Sequence, residues 1–297
     1  MNNGFVDLHI HSNRSSDGDF SPLHIVRLAK DNGFTAISIA DHDTAAAYPE
    51  ALEAGNGSGV EVIPSMEVTT LFNGREFHLL LPFLNWEKEV VRRIMTRVSE
   101  GRLEEAQERV DKLRKLGFDL TWPEVIRASK GLPPLGVTIA QILLDKPESK
   151  NNPALAEYLE AANRPLAPYL FYRDYFMEEK PAFVPKRHIS LLEVLDLAPE
   201  AEAVPVLAHP GAYFENATKE DLVQLKERGL AGLEVFTSYH KPEQTRFYAE
   251  AAKELDLVPT PGSDFHGRIK PHVAFGALQD GRYWMVERLR ERKGGRV

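Results

Sequence analysis

Short apolar runs alternate with amphipathic helical stretches along the sequence, and this alternation limits the possible fold more than any other feature. Such alternation is typical of βα units built around a mostly parallel sheet. Strands are predicted at 5–10, 36–40, 60–64, 77–81, 205–208, 232–236 and 257–260. One helix is predicted to begin after a cap at Ser21, and another to cover 242–255. The sequence therefore predicts an α/β fold.

The middle of the chain has a different character, because residues 87–173 are largely helical and charged. Thr121 and Glu124 form a capping-box pattern there, which marks the beginning of a helix. A chain of 297 residues can hold one barrel and a small insertion. We therefore expect a barrel in two parts, 1–86 and 174–297, interrupted by a helical insertion at 87–173 that forms a substrate lid.

Composition excludes several classes of site and partner. Cysteine is absent, so disulfides, thiolate nucleophiles and zinc-thiolate sites are excluded, and any metal must be held by nitrogen and oxygen. A net charge of -8 argues against binding of long duplex nucleic acid, although a small phosphate ester or a short nucleic-acid end remains possible. No signal peptide or apolar stretch of about 20 residues is present, which predicts a cytoplasmic protein without a membrane partner.

Histidine and acidic residues recur at the ends of the predicted strands. In the first strand, His9 and His11 share a face because side chains two residues apart point the same way, and together they can bind one ion. The same face carries Asp7, which we expect to orient a ligand imidazole rather than bind metal. Further candidates in, at or beyond the strands are Asp17, His42, Glu67, His78, His209, Asp264 and His266.

Convergence of these side chains is the simplest explanation of the pattern. Active sites of parallel α/β barrels lie at the carboxyl ends of the strands. A single histidine of this kind is more often an ordinary core or surface residue, but six of the ten histidines lie in or at the end of predicted strands. Imidazole and carboxylate without thiolate favour Mn²⁺, Fe²⁺ or Zn²⁺, and nine ligands exceed the need of one ion. Neighbouring ions of this type activate water and polarise phosphoryl oxygens, so the sequence predicts hydrolysis of phosphate esters.

Five motifs resemble the PHP (polymerase and histidinol phosphatase) family of phosphoesterases. They are DLHIHS at 7–12, ADHDT at 40–44, the Glu67 and His78 pair, LAHPG at 207–211 and GSDFHG at 262–267. The resemblance implies a distorted (β/α)₇ TIM-like barrel with an inserted helical subdomain and a trinuclear metal centre. It also implies three ligand sets: His9, His11, Glu67 and Asp264; Glu67, His78 and His209; and Asp17, His42 and His266.

Other segments are similar to one subgroup of that family, which acts on nucleoside monophosphates, 3',5'-nucleotide bisphosphates and 5' ends of short RNA. These segments are SSDG at 15–18, PAFVPK at 181–186 and GLEVFTSYHKPEQ at 232–244. At 135–138 the chain has Leu-Gly-Val-Thr, where such relatives usually have arginine and histidine. Histidinol-phosphate phosphatase and a noncatalytic metal-stabilised scaffold remain as alternatives.

The chemistry that we expect from the resemblance uses a hydroxide bridging two ions to attack phosphorus in line. The predicted catalytic residues are Glu67, Asp264 and His240. His240 would protonate the leaving group or hold the phosphate, although a solvated loop histidine is an equally good interpretation. The predicted substrate-binding residues are Arg14, Lys186, His240 and Arg268, the cations being charge-assisted donors to phosphate. Two or three divalent transition-metal ions are the expected cofactors.

Overall fold

The strands belong to two sheets. The computed structural model describes residues 4–15, 17–129, 133–212, 216–276, 278 and 280–293. The strands are β1 (Phe5–Ile10), β2 (Phe34–Ile39), β3 (Glu61–Val62), β4 (Glu67–Phe72), β5 (Arg75–Leu80), β6 (Ile189–Ser190), β7 (Val206–Leu207), β8 (Gly232–Thr237) and β9 (Val258–Gly262). One sheet has the order β1-β2-β3 and is parallel, and the other has the order β6-β4-β5-β7-β8-β9.

Helices alternate with many of the strands, as expected for a mixed α/β fold. They are α1 (Pro22–Asp31), α2 (Tyr48–Gly55), α3 (Glu89–Lys115), α4 (Trp122–Ala128), α5 (Gly136–Asp145), α6 (Ala156–Leu159), α7 (Ala167–Tyr175), α8 (Leu191–Leu197), α9 (Lys219–Glu227), α10 (Pro242–Glu254) and α11 (Tyr283–Arg292). The Ser21 side chain accepts a hydrogen bond from the His24 N–H, which confirms the predicted cap of α1. Among the described residues, no helix is both long and apolar enough to cross a membrane.

The described residues form two compact units. One contains those of Met1–Val98 and Ile189–Val297, and the other is Ser99–His188. The first unit holds both sheets, with a core that includes Ile37, Leu79 and Leu233. The second unit is helical and has its own core of buried side chains, including Val110, Ile139 and Phe171. Each unit therefore buries enough apolar surface to have a separate interior.

A hairpin between β4 and β5 departs from the predicted parallel arrangement. The two strands pair antiparallel from Glu67 opposite Leu80 to Phe72 opposite Arg75. Asn73 and Gly74 connect them, both with positive φ (51° and 77°), as a tight two-residue hairpin turn requires. The sequence analysis identified the second strand but missed β4, although Asn-Gly between apolar segments is a strong hairpin signal. The hairpin brings Glu67 and His78 onto neighbouring strands.

Hydrogen bonds join the two sheets at the positions where the acidic and histidine residues lie. Beyond β1, the His11 N–H donates to the Phe265 carbonyl at 2.9 Å, and the Asp264 N–H donates to the His9 carbonyl at 2.8 Å. Beyond β2, the Asp43 N–H donates to the Glu67 carbonyl at 2.8 Å. The main chain itself therefore brings the ends of β1, β2 and β9 and the beginning of β4 together.

The buried Tyr48 side chain connects the ends of β2 and β3 through hydrogen bonds. Its side chain is completely buried at the beginning of α2. The Tyr48 hydroxyl accepts from the Ser65 N–H at 2.6 Å and is hydrogen-bonded to the carbonyls of Ile39 and Ile63. Because these backbone groups are buried, they have no ready access to water as a replacement partner.

Tyr48→Phe is expected to lower the free energy of unfolding by about 1–3 kcal/mol, because it leaves buried backbone groups without their partner. Urea denaturation followed by circular dichroism measures the loss. Tyr169→Phe is the matched control, since the Tyr169 side chain is 54% exposed and its hydroxyl should contribute little. Equal stability of the two variants would contradict the tethering role of Tyr48.

Candidate metal centre

The strand ends of the first unit bring nine predicted ligand residues into one region. β1 and the residue after it supply His9 and His11, and His42 follows β2. The hairpin supplies Glu67 at the beginning of β4 and His78 within β5. The remaining residues follow β1, β7 and β9 in the chain: Asp17, His209, Asp264 and His266.

Glu67 lies at the centre of this group. Its Oε2 atom is 3.2 Å from His9 Nε2 and 3.1 Å from His11 Nε2, and it is 3.2 Å from His42 Nδ1. Its Oε1 atom is 2.8 Å from His78 Nδ1 and 3.1 Å from His209 Nε2. The two oxygens of one fully buried carboxylate therefore face two different sets of imidazoles.

In the described part of the chain, three overlapping groups of side chains have donor atoms close enough to hold an ion. They are His9, His11, Glu67 and Asp264; His42, Glu67 and His78; and His11, Asp17, His42 and His266. The first group is the same set that the family resemblance implied. The second has His42 where that set had His209, and the third has His11 in addition. Glu67, His11 and His42 each belong to two groups, and of these only the Glu67 carboxylate has two oxygens with which to bind neighbouring ions.

The donor atoms are oriented for a cation rather than for one another. The Nε2 atoms of His9 and His11 face each other at 3.1 Å. Within the described part of the chain, no hydrogen-bond partner is found for the buried Oε2 of Glu67, Oδ1 of Asp264 or Nδ1 of His42. Buried polar atoms are nearly always satisfied, so this concentration of exceptions requires an explanation. Imidazole and carboxylate donors converging in this way fit divalent transition-metal ions.

The electrostatics of the cluster keep its carboxylates ionised. Burial alone would raise the pKa of Glu67, but the surrounding imidazoles hold that pKa well below its usual range. For His9, burial would lower the pKa, but attraction to Glu67 and Glu234 raises the pKa well above its usual value. The pKa of His78 is raised to about 10 because Glu67 outweighs the effect of burial. The buried negative charge thus favours any cation, whether a proton or a metal ion.

The main chain is strained at two of these residues. His209 has φ of 23° and Asp264 has φ of 56°, in the left-handed region that residues other than glycine rarely adopt. Strain of this kind persists only where surrounding contacts determine the conformation, and it is concentrated at functional sites. The observed geometry therefore directs both side chains toward the cluster at a cost in local stability.

Glu234, which the sequence analysis did not select, positions two of the predicted ligands. It is completely buried in β8. Its Oε1 atom lies 3.0 Å from His9 Nδ1, and its Oε2 accepts from the His209 N–H at 2.7 Å. Gly262 leaves room for this carboxylate, because a Cβ atom there would lie 1.6 Å from Glu234 Oε1. An acidic residue inside the apolar run GLEVF was the signal that could have identified it.

Asp7 has a different role from the one expected. Its Oδ1 atom accepts from the backbone N–H groups of His9 at 3.2 Å and Ser263 at 3.0 Å. Asp7 thus holds the backbone of β1 against the segment after β9, whereas Glu234 contacts the His9 ring. A carboxylate on the second ring nitrogen fixes the orientation and tautomer of a ligand imidazole.

The predicted substrate-binding residues have other contacts. Both ring nitrogens of His240 are bound to backbone, Nδ1 donating to the Val235 carbonyl and Nε2 accepting from the Gly211 N–H, each at 3.0 Å. Arg14 forms a salt bridge with Glu50. The other two are Arg268, which pairs with Asp19 and is 84% exposed, and Lys186, which belongs to the second unit. The contacts given for His240, Arg14 and Arg268 do not join these three side chains to the cluster.

Glu234→Gln is expected to weaken metal binding by about 10- to 100-fold, because an uncharged amide has one acceptor oxygen for the two N–H groups, of His9 and His209, that the carboxylate accepts from. Metal titration of chelator-treated protein, followed by calorimetry, measures the change. Glu243→Gln is the matched control on the exposed surface of α10. Indistinguishable affinities of the two variants would show that Glu234 does not position a ligand.

The chain is similar to several known proteins. The PHP domain model matches residues 7–166, more than half of the chain. A 5'-3' exoribonuclease of Haemophilus influenzae is 30% identical over 88% of this chain and 89% of its own length. A 3',5'-nucleoside bisphosphate phosphatase of Chromobacterium violaceum is 25% identical over 88% and 87%. The crystal structure of a Bifidobacterium adolescentis protein, described as a metal-dependent phosphoesterase, superimposes with a TM-score of 0.80 at 26% identity, covering 98% of this chain and 97% of that one. The chain belongs to the PHP domain family of metal-dependent phosphoesterases.

Proposed function

We propose that this phosphoesterase acts on nucleotide phosphates: nucleoside monophosphates, 3',5'-nucleotide bisphosphates or the 5' ends of short oligonucleotides. The observation that supports it most is the buried cluster around Glu67, whose two oxygens face five imidazoles. The names of the exoribonuclease and bisphosphate phosphatase relatives support the nucleotide class. A small phosphorylated substrate also fits the net charge of -8, which disfavours long duplex nucleic acid.

The proposed cofactors are two or three divalent ions, with Mn²⁺, Fe²⁺ and Zn²⁺ as the candidates. The proposed ligands are His9, His11, Asp17, His42, Glu67, His78, His209, Asp264 and His266. Ions held there would offset the charge of phosphoryl oxygens and lower the pKa of water to supply the nucleophile. The imidazoles and carboxylates would bind these ions, and Glu67 would be shared between two of them.

The main proposed contribution of the protein to catalysis is to hold charged side chains in fixed positions. Glu67 and Asp264 are buried and held by several contacts, so they do not need to reorganise during the reaction. Asp17 and His42 are more exposed, at 17% and 13% of their side-chain surface. The proposed catalytic role of His240 stays a prediction, and it requires one ring nitrogen to exchange a backbone partner for substrate.

We also propose that the first unit is a distorted (β/α)₇ barrel and that residues 87–173 are a helical insertion. Support for the barrel comes from the backbone hydrogen bonds that join the two sheets beyond β1 and beyond β2. Support for the insertion comes from the compact helical unit Ser99–His188 with its own core. A cytoplasmic location stays a prediction.

Glu67→Gln should reduce turnover much more than Asp17→Asn. Glu67 contacts five imidazoles, whereas Asp17 Oδ2 lies 3.4 Å from His42 Nε2 and 3.3 Å from His266 Nε2. Metal analysis should find two or three ions in the native protein and a loss confined to one site in Asp17→Asn. Equal small losses of kcat in both variants would argue that Glu67 is not shared between ions.

Nucleotide phosphates should be hydrolysed faster than histidinol phosphate. The measurement compares kcat/KM for AMP, a 3',5'-bisphosphate, a 5'-phosphorylated dinucleotide and histidinol phosphate at saturating Mn²⁺. Without arginine or histidine at 135–138, we expect weak discrimination between mono- and bisphosphates. An advantage of tenfold or more for histidinol phosphate would reject the nucleotide class while leaving phosphoester hydrolysis intact.

A further inference from the structure

A cationic side chain lies against one of the proposed metal ligands. The Lys270 ammonium donates to Asp264 Oδ2 at 2.7 Å and to the Tyr239 hydroxyl at 2.9 Å. Lys270 directly follows the short 3-10 helix Gly267–Ile269, which begins just after the His266 ligand position. The chain segment that carries two proposed ligands therefore also places a positive charge beside them.

The two oxygens of Asp264 face different surroundings. Oδ1 points into the cluster, 2.9 Å from His11 Nε2 and 3.4 Å from His9 Nε2. Oδ2 points away from it, toward Lys270 and Tyr239. The Asp264 side chain is 2% exposed, whereas the Lys270 side chain is 19% exposed. The ammonium is thus separated from the ligand cluster by a single carboxyl group, and it lies on the more exposed side of that group.

Tyr239 contacts Lys270 and also lies beside two proposed ligands, Asp264 and His209. The Tyr239 hydroxyl bonds to Asp264 Oδ2, and its ring is 5.6 Å from the His209 ring in an edge-on arrangement. Lys270 Nζ lies 5.5 Å from the centre of the same Tyr239 ring. Lys270 and Tyr239 therefore border the cluster between ligands that come from two different strands.

The charges of the cluster and of Lys270 determine what can bind beside them. The cluster and its surroundings contain the buried carboxylates of Glu67, Asp264 and Glu234, so an incoming phosphate ester meets concentrated negative charge wherever metal does not offset it. Lys270 places a cation in direct contact with the cluster, whereas Arg268 is directed to Asp19. An ammonium is a strong charge-assisted donor to phosphate.

We infer that Lys270 is a substrate-contacting residue whose ammonium donates a hydrogen bond to a phosphoryl oxygen of the ester bound at the metal centre. Tyr239, in contrast, is a positioning residue that holds Asp264. This inference rests on the proposed function, since it requires a phosphate ester at the cluster. It identifies Lys270 as the phosphate-binding cation for which Arg14, Lys186 and Arg268 were the sequence-based candidates.

The test compares three variants of the full chain, each loaded with Mn²⁺ and checked for metal content. Lys270→Met removes the ammonium at similar side-chain length. Tyr239→Phe keeps the ammonium but removes the hydroxyl that bonds to both Asp264 and Lys270. Lys253→Met is the control on the exposed surface of α10. Calorimetry measures the dissociation constant of inorganic orthophosphate, a readout independent of turnover. Lys270→Met should raise this constant about tenfold or more, Tyr239→Phe should raise it by a smaller factor because the ammonium remains, and Lys253→Met should match the native protein.

Two results would overturn the inference alone. One is native-like orthophosphate affinity in metal-loaded Lys270→Met. The other is an equal loss in Tyr239→Phe, which would mean that the hydrogen bonds among Tyr239, Asp264 and Lys270, rather than the ammonium itself, determine the affinity. Failure of the metal-loaded native protein both to bind orthophosphate and to hydrolyse p-nitrophenyl phosphate would instead reject the proposed function together with the inference.

A measurement on the native protein covers the case in which Lys270→Met does not retain metal. Orthophosphate should protect Lys270 of the Mn²⁺-loaded protein from acetylation by acetic anhydride, while Lys253 is modified at an unchanged rate. Peptide mass spectrometry with and without orthophosphate measures both rates. Unprotected Lys270 at saturating orthophosphate would overturn the inference.

Discussion

The arrangement of five imidazoles around the Glu67 carboxylate is the interaction on which the rest of the site depends. A buried carboxylate is costly unless charge or hydrogen bonds compensate it, and here the imidazoles of four chain segments supply that compensation. The same arrangement requires the sheet ends to meet, because different strands carry His9, His42, His78 and His209 within them or just after them. The fold and the metal chemistry are therefore coupled: a change that separates the strand ends also removes the site.

A second layer of residues keeps those imidazoles in place. Glu234 connects the His9 ring with the His209 backbone, and Gly262 leaves the space that this carboxylate occupies. Asp41 holds the segment after the first strand, since it accepts from the Ser12 N–H. The Ser15 hydroxyl lies within hydrogen-bonding distance of both Asp41 and Asp17 and can donate its one hydrogen to either carboxylate. Such contacts orient ligands and raise their basicity, so the centre extends beyond the atoms that could touch a metal.

Local sequence patterns predicted part of the fold and part of the candidate site. The apolar runs predicted seven strands near their observed positions, and histidine and acidic residues at strand ends predicted which side chains would meet. The missed strand β4 contains two consecutive threonines, and β6 has only two residues, so neither forms a long apolar run. Glu234 was missed because a lone acidic residue within a strand does not reveal its partner, which lies 225 positions away in His9.

Sequence by itself determined the α/β class, the absence of thiolate ligands and the residue types of the candidate centre. These follow from composition and from the two-residue periodicity of strands, which are local properties. Tertiary structure decided that Glu67 is central, that Glu234 rather than Asp7 contacts the His9 ring, and that Lys270 rather than Arg268 reaches a ligand carboxylate. Hydrogen bonds form only within about 3 Å, and bringing distant segments that close depends on strand pairing and packing throughout the unit.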